Sequence, residues 1–172
     1  MMTALNSLNR YNLYEVESGY AFKTDYGNEY LVTFSDLSSI IGLDNIKVYD
    51  FGIENARRVS VRNDKTNGKL KNTVVELLFR LFDRQPECGI LVILDSSDNK
   101  HRARFRMFLS SEHNSWFYEF STAEVKIINI PLNVEEFEET CFLLIRRDNP
   151  YLETIQSAVA EYMNVSFGGA AF

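Results

Sequence analysis

The sequence predicts an α+β protein, a mixed α/β sandwich built around one central mixed sheet. Three observations predict it: period-two alternation in the N-terminal third, a continuous apolar run rich in β-branched residues at Gly89–Leu94, and helical spacing of apolar residues at Thr73–Phe82 and after Pro150. With 172 residues, 45% hydrophobic content and three prolines, the chain is long enough to bury one full core. The expectation is a single globular domain over residues 1–172, with short flexible tails at about 1–10 and 167–172.

The elements follow in order. Tyr20 and Phe22 alternate with Ala21 and Lys23, Asp25-Tyr26-Gly27-Asn28 supplies turn chemistry, and Tyr30, Val32 and Phe34 alternate again, which predicts a hairpin with one buried face. A polar connection then leads to a third strand over Ile46–Ile53, which Arg57 to Arg62 prolongs or repeats. From Thr73 to Phe82 apolar residues cover most of a helical wheel and leave Glu76, Arg80 and Asp83 on a narrow stripe, so the helix is buried on nearly all sides. Asn72 reads as its N-cap, and Pro86 marks a point by which it has ended.

Gly89–Leu94 reads as a strand covered on both faces, closed by Asp95-Ser96-Ser97-Asp98. Strand, helix and buried strand together predict a right-handed parallel crossover. A second helix is expected from Lys100 to about Ser111, followed by strands at Trp116–Phe120, Val125–Ile130 and Thr140–Ile145. The closing helix has Asn149 as N-cap, Pro150 at its first position, and Ile155, Val159, Tyr162 and Met163 at helical spacing, with Gly168-Gly169 as its stop. Counting two of those last three strands, the expected order is β-β-β-α-β-α-β-β-α.

Charge is segregated along the chain. Residues 57–106 hold 12 Lys/Arg against 6 Asp/Glu, within a protein of net charge −6. A basic strip in an acidic protein is where an anionic group would bind. The Arg57–Lys71 segment concentrates Arg57, Arg58, Arg62, Lys65, Lys69 and Lys71 against the single acid Asp64, just ahead of a helix. The simpler reading, local pairing of these bases with the acidic flanks, is the favoured one. A second cluster, Lys100 to Arg106, alternates base with apolar residues, but a helix distributes those bases around its wheel. The acidic net charge also argues against a general nucleic-acid binder.

Other chemistry finds little support. His101 and His113 lack partners at ligand spacing, so no metal site is expected. Asp25, Glu76 and Asp95 resemble the carboxylates of a ribonuclease H arrangement by element position, yet a turn residue, a helix ion pair with Arg80 and a loop cap explain them more simply. Cys88 and Cys141 read as reduced core residues. No run of ~18 apolar residues occurs, which excludes a helical membrane span and makes a cytoplasmic location the expectation.

The order of three strands, helix, buried strand, helix and two closing strands, over about residues 20–146, resembles the acyl-CoA N-acyltransferase (GNAT) superfamily without its first strand and helices. In that superfamily a glycine-containing turn of the type Arg/Gln-x-x-Gly-x-Gly/Ala precedes a helix and holds the coenzyme A diphosphate on backbone N–H groups. The matching segment here is Val61–Asn72, where Gly68 is retained and Leu70 and Asn72 stand at the later glycine positions. The overall pattern also resembles a family of small bacterial proteins, chiefly from Bacteroidota, which implies a source and no mechanism.

Two functional expectations follow. The first is a non-enzymatic cytoplasmic module of accessory, immunity or inhibitor type that binds a protein partner through complementary charge, with Arg102, Arg106, Glu135, Glu136, Glu138 and Glu139 as contact residues. The second, implied by the GNAT resemblance, is an acyltransferase-like protein in which Arg62, Lys65, Gly68, Lys69, Lys71 and Asn72 hold acetyl-CoA or another acyl-CoA. Neither assigns a catalytic residue.

Overall fold

The computed structural model describes residues 9–64, 68–94, 124–131 and 140–167. Among them are seven strands, β1 (Tyr14–Val16), β2 (Gly19–Lys23), β3 (Glu29–Asp36), β4 (Val48–Arg57), β5 (Gly89–Leu94), β6 (Val125–Ile130) and β7 (Thr140–Arg146). Two helices accompany them, α1 (Lys69–Arg84) and α2 (Leu152–Phe167). The strands form one mixed sheet in the order β1-β2-β3-β4-β5-β7-β6, so the chain has the α+β architecture the sequence predicts. The helix expected at 100–111, the strand at 116–120 and the Gly168-Gly169 stop lie outside the described residues.

The chain divides into two compact units, residues 1–34 with 52–84, and residues 35–51 with 85–172. In the first, β1, β2 and β3 form an antiparallel meander in which Tyr14 faces Ala21 and Phe22 faces Tyr30. Phe22 is fully buried and stacks between Tyr11 and Tyr30, with ring centroids 5.8 and 5.5 Å away. Offset aromatic stacking of this kind adds to the burial of the rings themselves.

Helix α1 buries Leu70, Thr73, Val74, Val75, Leu77, Leu78 and Phe82, and keeps Glu76, Arg80 and Asp83 off that face as the wheel requires. Its start corrects the sequence reading. The helix begins at Lys69, and Asn72 already lies inside it, its N–H donating to the Gly68 carbonyl at 3.0 Å. Gly68 precedes it at φ 73°, a left-handed conformation that favours glycine. The hydroxyl of the buried Thr73 ties the first turn in place, donating to the Lys69 carbonyl at 2.7 Å and accepting the Tyr11 N–H at 2.9 Å.

In the second unit β4 runs parallel to β5, with Val48, Tyr49 and Asp50 opposite Gly89, Ile90 and Leu91. β5 is antiparallel to β7, and β7 to β6. Val48, Leu91, Leu143, Ile155, Val159 and Met163 belong to one buried cluster, which places the inner face of α2 against the sheet. A Cβ on Gly89 would lie 3.0 Å from Ile155 Cγ2 and 3.2 Å from Leu143 Cδ1, so the first residue of β5 must be small where the helix crosses it.

The predicted cap of α2 is present. Asn149 Oδ1 accepts the Tyr151 N–H at 2.8 Å, and the Asn149 carbonyl accepts the Leu152 N–H at 3.2 Å. Pro150 therefore occupies the first turn, where its missing N–H costs nothing. β1 has no counterpart in the sequence pattern, and β4 is one continuous strand that runs past Ile53 and ends at Arg57, where the predicted prolongation to Arg62 begins.

Candidate functional site

The turn between β2 and β3 and the segment between β4 and α1, both in the first unit, assemble the most organised polar site among the described residues. The turn is closed by Thr24, whose N–H donates to the Asn28 carbonyl at 2.8 Å and whose carbonyl accepts the Gly27 N–H at 2.9 Å. Gly27 has φ 83°, and a Cβ on it would lie 2.9 Å from Val59 Cγ2. The turn thus packs directly against the segment that follows β4.

Asn28 joins the two. Its side chain is buried, and Oδ1 accepts the N–H groups of both Val59 and Ser60 at 2.9 Å. Its Nδ2 donates to Asp64 Oδ2 at 2.7 Å. Asp64, the one acid of the basic segment, is also buried, and its Oδ1 has no hydrogen-bond partner among the described residues. Tyr30 lies close enough for the Asp64 charge to matter: burial first, and that charge second, push the Tyr30 phenol above its ordinary value.

The bases of the segment are held locally. Lys69 Nζ sits 3.0 and 3.3 Å from the two carboxylate oxygens of Asp25 and 5.5 Å from the centre of the Tyr11 ring. The Arg62 guanidinium lies over Tyr26 at 5.3 Å, and the Arg62 N–H donates to Ser60 Oγ at 3.2 Å. Arg58 Nε donates to the Ser60 carbonyl at 3.4 Å. Between these arginines Val61 is 88% exposed and Val59 56% exposed. The segment therefore presents an outward strip of apolar and basic side chains over a buried polar anchor.

Of the residues singled out for a diphosphate, Arg62, Gly68, Lys69, Lys71 and Asn72 all fall in this unit. Lys65 lies outside the described residues. Asn72 turns its side chain to the Asn9 carbonyl at 3.0 Å, and Leu70 is turned into the core at 1% exposure. At Gly68 a Cβ would meet nothing within 4 Å among the described residues. The six residues proposed for partner contact, Arg102, Arg106, Glu135, Glu136, Glu138 and Glu139, lie outside the described residues.

Of the three carboxylates compared with the ribonuclease H arrangement, Glu76 is engaged by Arg10 at 2.6 Å and by Arg80 at 3.0 Å, and Asp25 by Lys69; Asp95 lies outside the described residues.

The second unit carries a cleft of about 300 Å³ lined by Ile46, Lys47, Gln85, Pro86, Cys88 and Tyr151, among others. Burial pushes the Cys88 thiol up to about 12, so it is not a thiolate nucleophile at neutral pH. Gln85 is oriented by the Tyr49 hydroxyl, which donates to its Oε1 at 2.8 Å. Asp50, the last residue of β4 in register with β5, has its carboxyl raised above the ordinary value by burial.

Sequence reasoning missed Asn28, Tyr26 and Asp50. Asn28 reads only as a turn residue, and the sole hint of its role is a lone acid, Asp64, among six bases. No family model, curated protein or solved structure matches this chain.

Proposed function

We propose that the chain is a GNAT-like protein that binds an acyl-CoA, with the segment from Val59 to the first turn of α1 taking the diphosphate. The observation that carries this reading is the strand order. β4 lies beside a parallel β5, α1 connects them, and β7 is inserted between β5 and β6, an order that resembles the acyltransferase sheet. The local chemistry is compatible. Gly68 leads into α1 with nothing within 4 Å of its Cβ position among the described residues, the first turn of α1 has no acidic residue, and a helix start leaves N–H groups outside its own ladder. Leu70 does not obstruct this approach, because its side chain belongs to the core. The reading concerns binding and assigns no catalytic residue.

Titration of the full chain with coenzyme A, acetyl-CoA and pantetheine, followed by thermal shift and calorimetry, tests it. Binding to the native state raises the melting temperature. Coenzyme A and acetyl-CoA are expected to do so and pantetheine, which lacks the diphosphate, to do so less. No shift at millimolar coenzyme A refutes the proposal.

A second reading, a partner-binding module, is favoured by the exposure of Val59 and Val61 beside Arg57, Arg58 and Arg62. Exposed apolar groups flanked by arginine are the side chains that protein interfaces favour. Here the partner is a protein with an acidic, partly apolar surface. Capture of a protein that is lost both at high salt and in the R58E/V61D variant supports this reading, and capture indifferent to both overturns it.

A further inference from the structure

We infer that Asn28 and Asp64 form a buried clasp that fixes the Val59–Asp64 segment before any ligand arrives, which makes Asn28 a positioning residue for the diphosphate. The functional half of this inference rests on the acyl-CoA reading; the clasp itself does not. A single carboxamide makes three bonds here, to residues 31, 32 and 36 positions away. The chemistry is specific to a carboxamide. Two N–H groups require an acceptor, and the Asp64 carboxylate requires a donor; asparagine supplies both from one planar group. Alanine supplies neither, and aspartate would set two carboxylates against each other in a site where the two residues are 1% and 3% exposed.

The contacts are long-range in sequence, so they fix tertiary placement and not only a local turn. Gly27, at φ 83°, completes the seat, since a Cβ there would lie 2.9 Å from Val59 Cγ2 and that side chain would have to shift. A segment held in this way does not have to be ordered by its ligand, so binding does not carry that ordering cost.

The test is a swap. N28D, D64N and the double variant N28D/D64N are compared with the wild-type full chain by amide hydrogen exchange at Val59 and Ser60, and by calorimetric titration with coenzyme A. In N28D, exchange at both amides is expected to accelerate by about tenfold or more and coenzyme A affinity to fall by about tenfold, the equivalent of one buried hydrogen bond. In the double variant the carboxylate now on the hairpin accepts the two N–H groups and the carboxamide now on the facing segment becomes the donor, so both measurements return to within about threefold of wild type.

Rescue by D64N is not expected of a residue whose role is merely to support the hairpin. If N28D fails to fold while the double variant folds and is protected, the clasp stands. A double variant as damaged as N28D overturns it. Wild-type binding of coenzyme A with equal binding by a folded N28D overturns the positioning role alone. No binding by wild type, with exchange still rescued, removes the acyl-CoA reading and leaves the clasp.

Discussion

Replacing Asn149 separates two contributions that one side chain makes to the second unit. Its Oδ1 caps α2 through the Tyr151 N–H at 2.8 Å, while its Nδ2 donates to the Glu87 carbonyl at 2.9 Å in the connection between α1 and β5. The residue is 6% exposed, so water replaces these bonds poorly. Loss of an N-cap costs about 1 kcal/mol. A buried carbonyl left without its donor costs about 1 kcal/mol more. N149A is therefore expected to lose about 2 kcal/mol, and at roughly 2–4 °C per kcal/mol for a chain of this size the melting temperature falls by about 4–8 °C. N149D keeps an acceptor for the cap but has no donor and places a carboxylate against the Glu87 carbonyl, so it is expected to be less stable than wild type. Urea unfolding followed by circular dichroism and by Trp116 fluorescence measures both variants, and agreement of the two probes checks cooperativity. A loss in N149A below about 0.5 kcal/mol, or an N149D as stable as wild type, refutes the assignment.

Three further outcomes are expected. The two buried cysteines, one with its thiol pushed up to about 12, should resist thiol reagents in the native protein at pH 8 and react fully once urea unfolds it; rapid native labelling of Cys88 contradicts its burial. The Lys47 ammonium, together with Ser38, holds the Asp36 carboxyl down at about 2. Its depressed value means that the interaction is complete above the ordinary carboxylate range and is lost as pH falls through about 2; a carboxyl NMR titration should show this midpoint, and K47A should raise it. Burial raises the Asp50 carboxyl, so the ionised form is disfavoured in the folded state. D50N should therefore stabilise the protein at pH 7, with a gain that fades as pH falls and wild-type Asp50 takes up its proton; a destabilised D50N at pH 7 would show that the charge is instead satisfied.

What the sequence reveals follows the range of the interactions involved. The closing helix was legible because its signals, Asn149, Pro150 and the spacing of Ile155, Val159 and Met163, are local and fall within one element. β5 was legible because six successive apolar residues leave few alternatives. β1 was not, since Tyr14-Glu15-Val16 is too short to alternate and all three residues are exposed. The start of α1 was misplaced because an asparagine before an apolar run mimics a cap, whereas Asn72 in fact donates to a carbonyl 63 residues away. The same limit hid the clasp. Asn28 and Asp64 are 36 residues apart, and a buried polar pair has no periodicity to announce it.

The segregation of charge, the strongest signal in the composition, has a different meaning once the partners are known. Lys69 faces Asp25, Arg10 and Arg80 share Glu76, Arg62 lies over Tyr26, and Arg84 donates to the Tyr20 hydroxyl. A cation already beside a carboxylate attracts an incoming diphosphate much less than a free one does, because the anion meets both charges. With Lys69 already beside Asp25, binding at the entry of α1 is expected to draw on backbone N–H groups, whose influence decays within a turn of the helix. The two sources differ in their response to salt. Exposed lysines and arginines lose most of their pull between about 0.05 and 0.5 M salt, as the screening length shrinks below the distance to the ligand, whereas hydrogen bonds at contact persist. A shallow decline in coenzyme A affinity over that range is the expected result. A steep one would mean that Arg62 and Lys69 leave their present partners for the ligand, and the basic side chains would then be the site.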